Sequence, residues 1–269
     1  MPVTGSGDQA IYFEDHGSGP AVLLVPGLGG VCTCWADQVP EFAREFRVII
    51  HDHRGTGRSA RPLMEYSVEQ MTADVLRVMD GCGIEKAHVV GHSTGGAIGQ
   101  IMAIDHPGRI SALVGANTWT HGDPYFKHVF RFRSGLLEQG RVDLYASAGS
   151  FMLWSPDWIA ANIERVERDE KTMRDNFPDP RVGIARIDAI TRFDRRGDLS
   201  RIKVPTLIVG SEDDMVTPAY FSRDLAKRIA GARLEMLPNG GHSCYQTRIP
   251  EWNRIVLKFL RSAPALTPA

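Results

Sequence analysis

The sequence predicts an α/β fold, a mostly parallel central sheet flanked by helices, with a helical segment inserted late in the alternation. Three observations lead there. Short apolar runs such as Ala21–Val25, Ala87–Val90 and Ala112–Ala116 are continuous rather than alternating, as strands covered on both faces must be. Stretches of helical periodicity separate them, and strand–helix alternation is the pattern of parallel sheets whose crossovers pack on the faces. The alternation fails between Trp119 and Arg195, where no convincing strand occurs, and resumes at Val204.

The first two strands are expected at Ala10–Glu14 and Ala21–Val25, parted by the turn Asp15–Pro20. The second opens into Pro26-Gly27-Leu28-Gly29-Gly30, a loop whose glycines let the backbone approach something closely. Arg47–His51 ends at Asp52, and in the glycine-punctuated loop that follows Asp52, Arg54 and Ser59 are expected to tie the chain together through charge-assisted hydrogen bonds. Ser67 starts a helix, with Gln70 placed to complete a capping box and Val68, Met71, Val75, Val78, Met79 and Cys82 as its apolar stripe. Ala87–Val90 then leads through Gly91-His92-Ser93-Thr94-Gly95-Gly96 into a helical Ala97–Ala103, and Ala112–Ala116 is the next strand.

Within the interruption, Ser134–Ala148, Pro156–Arg168 and Arg181–Phe193 read as helices. Val204–Gly210 restores strand character, Thr217 and Pro218 are the expected N-cap and first residue of a helix, Arg233–Leu237 is the last strand and Trp252–Arg261 the last helix. The expected division is a core of residues 1–118 and 196–269, with a helical cap at 119–195. That cap holds 11 of the chain's 22 Phe, Trp and Tyr residues, which suggests a lid lining an apolar pocket, with Trp119, His121, Trp154 and Trp158 as the candidate pocket residues.

Composition narrows the function classes. The chain has 269 residues, 43% of them hydrophobic, with 31 Lys and Arg against 32 Asp and Glu. A net charge of −1 gives no bulk field for nucleic acid or an anionic membrane, so a small-molecule substrate is expected, with no nucleic-acid or membrane partner; a homodimer is compatible. The first residues carry no basic and apolar leader pattern and no later run is long enough to span a bilayer, which points to the cytoplasm. Cys32, Cys34, Cys82 and Cys244 are too few and too scattered for a disulfide framework. His51-Asp52-His53 has no H-E-x-x-H or similar ligand context, so no metal is expected. A dinucleotide cradle on Gly27 and Gly29 would need a third glycine at position 32, where Cys32 stands, so no cofactor is expected either.

The chemistry concentrates at Gly91-x-Ser93-x-Gly95. Glycines two before and two after a serine, between a strand and a helix, fit a turn so tight that a side chain at either place would strike backbone, and such a turn lifts the serine Oγ above the sheet. The first N–H groups of the new helix, with the positive end of its dipole, suit a developing oxyanion. Thr94 N–H would supply one donor and Leu28 N–H, from the glycine loop, the other. A serine needs a histidine to take its proton and a carboxylate to hold that histidine. Downstream, Asp213-Asp214 lies beyond one strand end and His242 beyond another.

With Ser93, an acid at 213 or 214 and His242 in that order, the sequence resembles an α/β-hydrolase over nearly its whole length, through Pro26-Gly27-Leu28-Gly29, Asp52-x-Arg54-Gly55-x-Gly57-x-Ser59, Gly91-x-Ser93-x-Gly95-Gly96, Val204-Pro205-Thr206 and Gly241-His242. Many relatives have His-Gly where this chain has Pro26-Gly27, but the donor required there is a backbone N–H. Counting from Gly210 picks Asp213 as the acid; counting back from Pro218 picks Asp214, which is preferred because the helix start fixes the loop. Within the family, Gly27–Gly30, Arg54–Gly57, Pro156-Asp157-Trp158 and Gly240–Cys244 most resemble the aminoacrylate or carbamate hydrolase of pyrimidine degradation, and the 3-oxoadipate enol-lactonases are also similar. The resemblance implies a cofactor-independent serine hydrolase cleaving an ester, lactone, amide or carbamate, with Ser93, Asp214 and His242 catalytic and Leu28 and Thr94 in the oxyanion hole. Cofactor-free perhydrolases or haloperoxidases, C–C bond hydrolases and ligand receptors on the same fold are the alternatives.

Overall fold

The computed structural model describes residues 2–264. Its single sheet has eight strands, β1 (Val3–Thr4), β2 (Ile11–His16), β3 (Ala21–Val25), β4 (Arg47–His51), β5 (Ala87–His92), β6 (Ile110–Ala116), β7 (Thr206–Ser211) and β8 (Arg233–Leu237), in the order β1-β2-β4-β3-β5-β6-β7-β8. The pairs made by β2 are antiparallel and all the others parallel. The chain leaves β3 toward one edge and β5 toward the other, so the loops at their C-terminal ends part around a crevice, where open α/β sheets place ligands.

Helices α1 (Val39–Phe42), α2 (Val68–Gly81) and α3 (Thr94–Asp105) precede β6; α4 (Pro124–Glu138), α5 (Val142–Leu153), α6 (Pro156–Ala161), α7 (Ile163–Asn176) and α8 (Pro180–Arg192) lie between β6 and β7; α9 (Ala219–Arg228), α10 (Cys244–Thr247) and α11 (Ile249–Ser262) complete the chain. The period-2 geometry of a strand sends alternate residues to opposite layers. Leu23, Val25, Ile49 and Val89 pack with Met71, Val75, Ile98 and Ile101 of α2 and α3. Val22, Leu24, Val48 and Val90 pack with Trp35, Phe42, Trp252 and Val256. Burying each such side chain contributes roughly 1.5–3 kcal/mol. Helix α3 is buried along Thr94–Ile104, so the element that begins at the elbow is central to the core and has little freedom to shift.

Several local expectations differ from the structure for identifiable reasons. The helix expected at Ser134–Ala148 is two, because the chain turns at Gly140 with φ +68°, a conformation that favours glycine; α4 instead begins ten residues earlier, with Asp123 accepting from Phe126 N–H at 2.8 Å. Ser67 accepts from Gln70 N–H at 3.0 Å, but the Gln70 side chain turns to Asp74, so only half the capping box forms. Arg54 also pairs with Asp74, and it is Arg58 that binds the Asp52 carboxylate, through its backbone N–H at 2.8 Å and Nε at 3.2 Å. Thr217 does not cap α9: Pro218 takes that place, because both the Thr217 N–H and its hydroxyl are taken up by Asp214.

Candidate active site

Ser93 stands between β5 and α3 with φ 52° and ψ −115°, a conformation that a residue with a side chain keeps only when its surroundings over-determine it. They do. Ser93 N–H donates to Ala116 O at 2.9 Å, and its carbonyl accepts from Gly96 N–H at 2.9 Å and the Thr118 hydroxyl at 2.8 Å. A Cβ on Gly91 would collide with the Gly95 backbone, and one on Gly95 with the Val25 carbonyl, so both flanking positions require glycine. Ser93 Oγ makes no hydrogen bond to the described residues, yet it is not sealed from solvent.

The Pro26–Gly30 loop lies against this turn, with Gly27 beside His92 and Ser93. Its carbonyls are held from behind. His53 Nε2 donates to Pro26 O at 3.0 Å, Arg186 Nη2 to Leu28 O at 2.8 Å, and both His53 N–H (2.7 Å) and the Thr56 hydroxyl (2.9 Å) to Gly30 O. His51 Nε2 lies 3.2 Å from His53 Nδ1, so with His53 donating from Nε2, His51 donates to its Nδ1 in a chain of neutral rings. Burial pushes His51 down to about 4 and holds His53 well below the ordinary histidine range. Neither Leu28 N–H nor Thr94 N–H donates to an acceptor among the described residues. A loop pinned by its carbonyls, with the Leu28 N–H left free, can donate to an anionic oxygen.

His242 follows Gly240 and Gly241, both in the left-handed region at φ 128° and 71°. Its Nδ1 lies 2.8 Å from Asp214 Oδ2 and 3.1 Å from Oδ1. Asp214 is completely enclosed by donors: Val216 N–H at 2.7 Å, Thr217 N–H and hydroxyl at 2.8 Å, and Asn117 Nδ2 at 2.8 Å. Burial opposes its ionisation, but His242, Asn117 and Thr217 outweigh burial and hold the carboxyl below its ordinary range. Asp213 points elsewhere, accepting from Gly240 N–H (3.1 Å), Gly241 N–H (2.9 Å) and the Ser211 hydroxyl. The two aspartates thus hold one histidine in different ways, Asp214 by its ring and Asp213 by the loop that carries it. His242 O accepts from His92 Nε2 at 2.9 Å, and the two rings lie 4.8 Å apart, which ties the histidine loop to the residue before Ser93. His242 Nε2, like Ser93 Oγ, is unpaired among the described residues and still reached by solvent.

Of the expected pocket residues, Trp119 is fully enclosed against Phe126 and Phe193, so it belongs to the core beneath the inserted helices. His121 lies on the wall of a cavity of about 610 Å³ between α4 and α8 that contains neither Ser93 nor His242. Trp154 is near the site: its indole donates to Gln246 Oε1 at 3.0 Å, and the adjoining Leu153 carbonyl accepts from Ser243 N–H at 2.7 Å. Trp158 packs on Trp154, 5.1 Å away, and on Arg165 further out. The sequence pattern assigns no role to Asn117 or Arg186, and it marks Thr217 only as a helix cap and His53 only as an excluded metal ligand. Asn117 carried one legible signal, a polar residue directly after an apolar strand at the level of the elbow; the side-chain targets of the other three are fixed only by tertiary contacts. Among the described residues no three His, Cys, Asp or Glu side chains cluster as a metal site, the four cysteines are unpaired, and no helix is long and apolar enough to cross a membrane.

Residues 20–247 match the family model described as alpha/beta hydrolase fold. A protein of Caulobacter sp. (strain K31) named "Putative carbamate hydrolase RutD" is 42% identical over 263 residues, covering 96% of this chain and 98% of its own. The crystal structure of the enol-lactonase from Burkholderia xenovorans LB400 superposes with a TM-score of 0.85 at 30% identity, covering 94% of this chain and 96% of that one. A thermophilic esterase from Thermogutta terrifontis, solved with malate bound, gives a TM-score of 0.85 at 25% identity over 94% of this chain and 93% of its own.

Proposed function

We propose, from the premise that the chain belongs to the α/β-hydrolase family and is a hydrolase, that it cleaves an ester, lactone, amide or carbamate bond of a small metabolite through an acyl-enzyme on Ser93, in the cytoplasm and without a cofactor. The observation that carries this reading is the pairing of His242 Nδ1 with the buried Asp214 carboxylate at 2.8 Å, next to an elbow serine whose Oγ is left unpaired and open.

In this mechanism His242 Nε2 takes the Ser93 proton as Oγ attacks the substrate carbonyl, and Asp214 stabilises the imidazolium that results. The tetrahedral oxyanion is received by Leu28 N–H and Thr94 N–H. Collapse breaks the bond to the leaving oxygen or nitrogen, which takes the proton from His242, and leaves the acyl group on Ser93. Water, deprotonated by the same histidine, then attacks the acyl carbonyl; the acid is released and the proton returns to Ser93. No hydrogen bond joins Ser93 Oγ to His242 Nε2 among the described residues, and catalytic bonds of this kind tighten when substrate binds. The inserted helices reach the site through Leu153–Ser155, whose backbone rests on Gly241, and in this reading they form the cap over the substrate.

The named activities of the relatives, a carbamate hydrolase, an enol-lactonase and an esterase, all break an acyl bond to oxygen or nitrogen, which supports the substrate class. The test is a turnover screen of short acyl esters, enol-lactones and carbamates with the Ser93→Ala protein as blank. Turnover by the wild type alone is expected; equal turnover by both, or peroxide-dependent halogenation without acyl hydrolysis, overturns the reading.

A further inference from the structure

One side chain of the inserted helices reaches the loop proposed to receive the oxyanion. Arg186, on α8, is only 2% exposed and crosses to two loops at the ends of the strands. Its Nη2 donates to Leu28 O at 2.8 Å and its Nη1 to Arg54 O, so the loops after β3 and β4 are stitched together by a group that belongs to neither. Two glycines shape the slot it occupies: a Cβ on Gly30 would lie 3.0 Å from Arg186 Nη2, and one on Gly55 would lie 3.0 Å from its Cδ. Arg186 forms no ion pair among the described residues. Burying a guanidinium without a counter-ion is costly, and burial brings Arg186 down to about 10, where it is still charged at neutral pH. Against that cost stand its bonds to the two carbonyls, which are of the stronger, charge-assisted kind.

Those bonds bear on one peptide group. The Leu28 N–H belongs to the Gly27–Leu28 peptide, which lies between Pro26 O, held by His53 Nε2 at 3.0 Å, and Leu28 O, held by Arg186. His53 follows β4 and is fixed with the sheet, whereas Arg186 stands on a helix inserted between β6 and β7. Among the described residues, no other side chain between 119 and 195 bonds to Pro26–Gly30. Other polar ties of the inserted helices lie elsewhere: Arg192 Nη2 to Tyr66 O at 3.0 Å, Arg165 to Asp37 at 3.2 Å and Trp154 to Gln246 at 3.0 Å. Since Gly29 and Gly30 come next in the chain, a Leu28 carbonyl released by Arg186 has permissive backbone beside it and is free to turn.

We infer, resting on the serine-hydrolase reading, that Arg186 is a positioning residue for the oxyanion loop, so that the Leu28 donor is aligned only while α8 is seated on the sheet. A donor displaced by about 1 Å loses most of its worth to the transition state and alters ground-state binding little, so the effect falls on kcat. Hydrolysis thereby becomes conditional on the inserted helices. A movement that lifts α8 breaks the Leu28 bond, and the enzyme does not turn over while its site stands open.

The experiment compares Arg186→Ala, Arg186→Lys and Arg192→Met, the last because Arg192 ties the same helix to Tyr66 O without touching the loop. With p-nitrophenyl acetate as substrate, Arg186→Ala is expected to lose about 10² in kcat with KM within about threefold of wild type. Guanidinium chloride at tens of millimolar should restore at least tenfold of that loss, and sodium chloride at the same concentration should not. Arg186→Lys, able to reach one carbonyl, should fall between, and Arg192→Met should keep its kcat within about threefold. Hydrogen–deuterium exchange reads the loop without turnover: the peptide containing Leu28–Gly30 should exchange faster in Arg186→Ala than in wild type, and at the wild-type rate in Arg192→Met. Should Arg186→Ala fail to fold, Arg186→Lys carries both readouts, and wild-type kcat with wild-type exchange in that protein contradicts the inference. Equal losses in Arg186→Ala and Arg192→Met, or faster loop exchange in Arg186→Ala with kcat unaltered, overturn it and leave the hydrolase reading intact. If the wild type hydrolyses no ester, the serine-hydrolase reading fails instead; faster exchange confined to Arg186→Ala then upholds the hold of Arg186 on the loop, and unaltered exchange overturns it.

Discussion

His242 is held by two neighbouring carboxylates that do different work, and their separation is the sharpest claim at the residue scale. Asp214 meets the ring and Asp213 meets the backbone of Gly240 and Gly241. Asp214→Asn is therefore expected to lose about 10³ to 10⁴ in kcat, because an amide favours the wrong tautomer and leaves the imidazolium unstabilised. Asp213→Asn keeps an acceptor oxygen for one of the two N–H groups and should lose less than tenfold, mostly through stability. Saturating-substrate kinetics on both proteins, with circular dichroism to confirm folding, checks this; the reverse order of losses would contradict it. The preference for Asp214 was legible because Pro218 fixes the register of the loop, although Pro218 itself caps α9 rather than opening it. Asn117 was legible only as a polar residue directly after a strand, not as a partner of Asp214. Its φ of 44° and its bond to Asp214 depend on β6 and β7 being neighbours, which local pattern does not reveal.

At the scale of elements, the site consists of loops at the C-terminal ends of β3, β5, β6, β7 and β8, each held by another. Continuous hydrophobicity and glycine punctuation made the strands and the elbow readable in sequence, since both reflect local backbone requirements. The helices between β6 and β7 were readable only coarsely, because short helices broken at Gly140 and Asn162 leave too little periodicity to fix their ends. The joint between these helices and the histidine loop gives a prediction. Gly241 has φ 71°, and a Cβ there would lie 2.8 Å from Leu153 O and 3.0 Å from Ser155 N. Gly241→Ala should thus push α5 off the loop, costing roughly 1–3 kcal/mol and at least tenfold in kcat/KM. Thermal unfolding and steady-state kinetics measure both; a variant equal to wild type in each would mean that the contact has no consequence.

On the scale of the whole molecule, the interior stores several neutral histidines. Burial pushes His51 and His88 down to about 4, burial and the adjacent His242 push His92 down to about 3, and burial holds His53 well below its ordinary value. Below pH 6.5 the unfolded chain binds protons at these positions while the folded protein does not, so stability is full above that pH and falls as pH drops from about 6.5 toward 4. His88 is the cleanest case, since its Nδ1 is sealed without a partner among the described residues. Denaturant unfolding at pH 7.5 and 5.0 should show a marked loss for the wild type, and a smaller loss, by roughly 2 kcal/mol, for His88→Val. A wild type equally stable at both values would refute the reading of these residues as neutral. The central claim, that all of this architecture serves one nucleophile, is tested most directly by treating the wild-type and Ser93→Ala proteins with a fluorophosphonate and locating the label by peptide mass spectrometry. The account predicts one label per chain, on Ser93, with loss of hydrolysis in step with labelling, and a folded Ser93→Ala protein that takes no label and has lost at least about 10⁴ in kcat. Label on another residue, or turnover by Ser93→Ala within tenfold of wild type, would contradict it.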